Sequence, residues 1–195
     1  ASVAWLATVC CENKCRLIHI STDYVFDGNK PDAYTEEDAT SPIGVYGASK
    51  LQGEQLALSI DVTAMVIRTS WVFSEYGNNF VKTMIRFMDE REEINVVNDQ
   101  LGSPTYAADL ADCILAVIAS GKPLKGIYNY CNRGVVTWFD FANEIRKIKN
   151  SGCRINPIPT TAYPTAAKRP ANSVLSTEKI ATALGVTIPT WQSGL

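Results

Sequence analysis

The sequence holds a single histidine and three methionines, and no run approaches the roughly 18 apolar residues of a membrane-spanning helix. No cysteine pair has Cys-x2-Cys spacing, and His19 lies inside an apolar run, so no metal site is expected. Eighteen Lys and Arg stand against twenty Asp and Glu, a net charge of −2. Such a balance lacks the basic excess that would point to nucleic acid or an anionic membrane surface as partner. The first residues show no basic segment ahead of an apolar stretch, the pattern of a secretory leader. A cytoplasmic protein is the expectation. Also lacking is any glycine cluster of the G-x-x-G-x-x-G kind that cradles a dinucleotide pyrophosphate.

Six cysteines are present: Cys10, Cys11 and Cys15 cluster, while Cys113, Cys131 and Cys153 are scattered. A chain of 195 residues, 46% hydrophobic, can bury a sizeable core without disulfide staples, so these read as free thiols.

The chain alternates helical and extended patterns. Residues 2–13 space apolar groups like a helix, and 16–20 (RLIHI) reads as a short buried strand. A loop rich in Asp, Pro and Gly runs from Asp27 to Gly44. Helix 45–59, strand 64–73 and an amphipathic helix 79–90 follow, the last with Phe80, Met84, Phe87 and Met88 facing a core. Beyond them the pattern predicts strand 94–97, helix 106–119, strand 126–131 and helix 138–149, with Thr137 as its N-cap. Short helices near 176–184 and 189–195 close the chain. This alternation predicts an α/β fold: a partial Rossmann-type parallel sheet with a small C-terminal substrate-binding lobe. Residues 1–71 and 106–150 are assigned to the sheet domain, and 72–105 and 151–195 to the lobe. A site is expected at the carboxyl ends of the strands.

The chemistry concentrates at Tyr46-Gly-Ala-Ser-Lys50, with Ser21-Thr22-Asp23-Tyr24 closing the strand before it. Positions i and i+4 share one helix face, so Tyr46 and Lys50 point into one volume. A tyrosine titrates near pH 10 in water, too high for proton donation at neutral pH without help. A neighbouring ammonium stabilises the phenolate, and a shift of about 3 units corresponds to roughly 4 kcal/mol. The Thr22 hydroxyl is placed to bond the same substrate oxygen. A lone Y-x-x-x-K arises readily by chance on a solvated helix face; here STDYVFDG (21–28), Glu36, Asp38, Pro42 and Gly53-Glu54 accompany it.

Taken in order, STDYVFDG, a Tyr-Thr-Glu-Glu-Asp loop, YGASKLQGE (46–54), RTSWVF (68–73), NDQLGSPTYAADLA (98–111) and RPANSVLSTEK (169–179) resemble the dTDP-4-dehydrorhamnose reductase family. That family is a branch of the extended short-chain dehydrogenase/reductases, and the similarity runs the length of the chain. It implies reduction of the C4 ketone of dTDP-4-dehydro-L-rhamnose by NADPH or NADH, for cell-surface polysaccharide. It implies that Thr22, Tyr46 and Lys50 form a catalytic triad, with Lys50, Tyr46 and Ser21 also at the nicotinamide ribose. Asp23, Tyr24 and Val25 would line the sugar site, and Trp71 would either pack on the deoxysugar or serve as core. The loop holding Asp99, Gln100, Gly102, Ser103, Pro104 and Thr105 would shape the nucleotide-sugar pocket, and Arg169 would meet the diphosphate or stand on the surface. Arg68 reads as a ligand or as a buried ion-pair partner.

The family's fold begins with a glycine-rich βαβαβ half, so on the order of 60–80 further residues are expected ahead of this segment. A sheet edge left bare would favour self-association, and a homo-oligomer is expected. Two other functions fit the same fold: a non-catalytic regulatory relative, and a nucleotide-sugar epimerase or dehydratase. The intact triad argues against the first, and RTSWVF with NDQLGSPT against the second.

Overall fold

A computed structural model describes residues 2–165 and 167–195. In chain order the elements are α1 Ser2–Glu12, β1 Ile18–Thr22, α2 Val45–Ile60, β2 Met65–Thr69, β3 Val72–Phe73, α3 Phe80–Glu90, β4 Glu93–Val97, β5 Leu101–Gly102 and β6 Thr105–Tyr106. They continue with α4 Ala107–Ala119, β7 Gly126–Asn129, β8 Val136–Thr137, α5 Trp138–Lys149, β9 Arg154–Ile158 and α6 Glu178–Leu184.

Strands β1, β2 and β7 form a parallel sheet in that order, with Ile18 opposite Met65 and Ile67 opposite Tyr128. All five residues of β2 are buried, as a central parallel strand covered on both faces requires. Met65 and Ile67 pack with Leu110, Cys113 and Val117 of α4 and with Ile180 of α6. On the other side α2 lies against β1 and α1 lies against α2. The fold is α/β with a parallel sheet, as the alternation predicts.

A second core gathers Met84 and Met88 of α3, Ile94 and Val96 of β4, Ile155 of β9, and Phe141, Ala142 and Ile145 of α5. Strands β4 and β9 pair in parallel beneath the two helices. Helix α5, placed with the sheet from sequence order, packs in the lobe. Helix α6, placed in the lobe, packs on the sheet core through Ile180, and the segment after it does so through Ile188. Apolar faces choose the nearest complementary surface, and sequence order does not say which that is.

Helix α5 starts as predicted. Thr137 accepts from the Asp140 amide, and the Asp140 carboxylate accepts from the Thr137 amide, a capping box. Several strand boundaries move. The first strand begins at Ile18 and runs to Thr22, and the Arg16 guanidinium ahead of it donates to the carbonyls of Lys122 and Leu124. The last strand of the sheet ends at Asn129. The predicted strand 64–73 breaks at Ser70 and Trp71, where Trp71 adopts φ 47°. That conformation costs an ordinary residue roughly 1–2 kcal/mol. It is held by stacking on Trp138, with ring centroids 3.5 Å apart and planes 8° from parallel. Gly102 makes the placement possible, since a Cβ there would overlap the Trp71 indole. The closing segment is a single 3-10 turn, Trp191–Gly194, and not an α-helix.

Candidate active site

Strand β1 delivers Ser21 and Thr22 to its carboxyl end, and the chain then turns through a 3-10 helix, Asp23–Val25. Thr22 sits at the N-cap of that turn. Its hydroxyl accepts from the Tyr24 amide at 3.3 Å and donates to Asp23 Oδ1 at 2.9 Å. Helix α2 begins beside this turn, with Tyr46 in its first turn and Lys50 one turn on. Gly47 explains the closeness: a Cβ there would overlap the Tyr24 carbonyl oxygen. Only a glycine lets the helix approach the strand end this tightly. Tyr24 and Tyr46 meet edge to face, ring centroids 5.9 Å apart.

Lys50 reaches back across the helix–strand gap, and Nζ donates to the Ile20 carbonyl at 2.6 Å. Partial burial holds its pKa below the usual lysine value, partly offset by the charge of Glu54. Tyr46 remains 57% exposed, so its hydroxyl is open to a ligand. The structure thus brings Thr22, Tyr46 and Lys50 to one strand end, with Lys50 turned toward β1 and not to bulk solvent.

Asp23 is nearly fully buried, and its Oδ2 has no hydrogen-bond partner. Burial pushes its carboxyl up to about 7, against the opposing effects of Ser173 and Thr22. Tyr24 is raised above the usual phenol value by burial first and by the Asp23 charge second, while Arg169 pulls the other way. Arg169 therefore acts on Tyr24 across space from an exposed position, and its neighbour Pro170 packs against Gly28.

Behind these residues lies a buried ionic network. Arg68 of β2 and Glu54 of α2 are 2% and 1% exposed and pair at 2.7 Å. Arg68 Nε also donates to Glu54 Oε1 at 3.0 Å, and the Ser21 hydroxyl donates to the same oxygen. Of the two readings left open for Arg68, the structure selects the ion pair. The buried Ser21 hydroxyl spends its one proton on Glu54 and keeps its acceptor lone pairs. Glu54 had no assigned role in the sequence; the signal was an acidic residue two turns beyond Tyr46, on the same helix.

The other expected residues divide by exposure. Val25 is fully buried with Phe26, Tyr34, Cys131 and Leu175, and Thr105 is fully buried against Thr69. Neither side chain reaches an open surface. Ser103 is buried, and its carbonyl accepts from the Ser70 hydroxyl. Gln100 is buried too, accepting from Trp138 Nε1 at 3.2 Å and donating to the Thr160 hydroxyl at 3.0 Å. Trp71 is half-buried on Trp138, so one indole face is spent on packing. Trp138 itself escaped sequence reasoning because it opens an amphipathic helix, where aromatics are ordinary core.

Comparison with known proteins accords with this geometry. The family model described as RmlD substrate binding domain matches residues 1–195. A dTDP-4-dehydrorhamnose reductase from Aggregatibacter actinomycetemcomitans is 43% identical over 99% of this chain and 69% of its own length. One from Escherichia coli K12 is 46% identical over 92% of this chain and 63% of its own length. A crystal structure of dTDP-4-dehydrorhamnose reductase from Bacillus anthracis, in complex with NADP, superposes with a TM-score of 0.93 at 41% identity, over 98% of this chain and 68% of that one. The chain spans between 63% and 69% of these three proteins' lengths.

Proposed function

We propose, from the premise that this chain belongs to the dTDP-4-dehydrorhamnose reductase family, that it carries the proton-transfer and sugar-binding part of a nicotinamide-dependent ketone reductase. Its substrate is a dTDP-4-dehydro-6-deoxy sugar, read as dTDP-4-dehydro-L-rhamnose. The observation that carries this reading is the convergence of Tyr46, Lys50 and the Thr22 turn on one strand end.

The donor set fits the nicotinamide end of NADPH or NADH. Lys50 presents an ammonium one helical turn beyond the exposed Tyr46, a pair suited to a ribose hydroxyl and a reacting carbonyl together. No glycine-rich turn for the pyrophosphate occurs in this sequence. When bound, the reduced nicotinamide supplies the hydride. The chain's own residues handle the proton. Tyr46 donates its phenolic proton to the C4 oxygen, and the Lys50 ammonium stabilises the phenolate left behind. The Thr22 hydroxyl, now bonded to Asp23, turns to that oxygen when substrate arrives. Tyr24 and the half-buried Trp71 offer amphipathic surface to the deoxysugar, and Arg169 offers a planar donor fork to the diphosphate. Asp23 borders the same pocket, with Gln100 and Ser103 supporting its wall.

The protein is read as cytoplasmic and homo-oligomeric. No helix among the described residues is long and apolar enough to cross a membrane. Helix α1 exposes Trp5 and Leu6, apolar surface that favours association. Light scattering tests that state, and a monodisperse monomer would refute it.

In an active preparation, Tyr46→Phe lowers kcat by about 10²–10⁴ and leaves KM nearly unchanged. Nicotinamide absorbance with dTDP-4-dehydrorhamnose as substrate reads both constants. Turnover within a few-fold of the parent would mean that another group delivers the proton.

A further inference from the structure

At the opposite end of the sheet from Tyr46 lies an open cleft of about 790 Å³. Its walls come from three connections: α1 to β1, α2 to β2, and α4 to β7. The volume suits a small-molecule ligand. Cys10, Cys11 and Cys15 all line it, together with the cations Lys14, Arg16, Lys122 and Lys125 and a single carboxylate, Asp61. None of the three cysteines is buried, and none is bridged.

The end of α1 decides which of them are neighbours. Lys14 has φ 54°, the left-handed conformation that stops a helix. The Cys15 amide donates to the Cys10 carbonyl at 2.8 Å, and the Lys14 amide to the Cys11 carbonyl at 3.2 Å. These are the two bonds of a Schellman motif, and they fix the positions of its residues. Cys10 and Cys15 occupy the two sites whose side chains meet across such a turn, where apolar residues usually stand. Standard bond lengths on either side of the 2.8 Å bond cap their Cα separation at about 6.7 Å. A disulfide needs roughly 4.4–6.8 Å.

We propose that Cys10 and Cys15 are a reversible dithiol pair that exchanges with an anionic low-molecular-weight disulfide drawn into this cleft. The first protein thiolate attacks one sulfur of the incoming disulfide, breaks its S–S bond and expels one small thiolate. The second protein thiolate attacks the protein sulfur of the resulting mixed disulfide and expels the other. The two cysteines are oxidised by two electrons in all, and the small disulfide is reduced to two thiols that take up the two protons. Four cations against one carboxylate supply the attraction for an anionic reagent. The product bond would close the turn between α1 and β1, and a dithiol reductant would reopen it.

The test uses the full chain and glutathione disulfide. Oxidation should remove about 2 Da from the intact mass without leaving a glutathione adduct. Lys14 lies between the two cysteines, so trypsin should release residues 1–14 and the Cys15-Arg16 dipeptide still joined. Cys11→Ser should keep that link, whereas Cys10→Ser and Cys15→Ser should stop at a glutathione adduct. Lys125→Glu and added salt should each slow the reaction with glutathione disulfide several-fold, and leave the rate with neutral hydroxyethyl disulfide unchanged. A chain that accumulates only glutathione adducts, or links Cys11 in place of Cys10, overturns the pairing. Equal slowing with both reagents overturns the role of the cationic cleft.

Discussion

Replacing Glu54 by alanine leaves the Arg68 guanidinium charged and 2% exposed, with no anion to face it. The carboxylate accepts from Arg68 at 2.7 and 3.0 Å and from the Ser21 hydroxyl, so one substitution orphans three donor groups. Arg68 also packs over the Phe26 ring at 5.0 Å, a contact too weak to hold a buried charge alone. Breaking a buried pair from one side costs about 3–5 kcal/mol. At about 2–4 °C per kcal/mol for a chain of this size, the thermal midpoint should fall by about 6–20 °C. Urea denaturation followed by circular dichroism gives the free energy independently. Replacing both partners by apolar residues, Glu54→Leu with Arg68→Met, should recover much of the loss, because no charge is then stranded. The exposed pair of Glu93 and Arg154 serves as the control, and Glu93→Ala should leave the midpoint near the parent's. If Glu54→Ala and Glu93→Ala behave alike, the network behind the site does not have the buried character described for it.

Asp23→Asn tests the buried carboxyl. A folded pKa raised to about 7 means that the native state binds the proton more tightly than the unfolded chain, so stability is full below about pH 4 and declines as pH rises through 7. The asparagine variant should therefore match the parent in acid and exceed it at pH 8 in chemical denaturation; a constant difference across pH would refute this. Gly47→Ala tests the close approach of α2 to the Tyr24 carbonyl. Alanine normally stabilises a helix interior by about 1 kcal/mol over glycine. Here the sign should invert, with a loss of about 1–3 kcal/mol from overpacking, and a gain in thermal midpoint would show that the helix has room to spare.

Periodicity and capping were sufficient for much of the secondary structure. The 3.6-residue stripe of α3 buries Met84 and Met88, and Thr137 with Asp140 starts α5 where their spacing says, because caps and amphipathic faces are local properties. The same locality made Tyr46 and Lys50 legible: a four-residue spacing on a helix is a geometric statement in itself. Tertiary structure decided what depends on distant partners. The break at Trp71 is imposed by Trp138 and Gly102, 67 and 31 residues away, and nothing in RTSWVF announces it. The bond from the Ser21 hydroxyl to Glu54, 33 residues on, likewise depends on the packing of α2 against β1. Val25 and Thr105 stand inside the fold for the same reason: burial is set by whatever packs from the other side, and a sequence names the residues of a surface without naming the element that covers them.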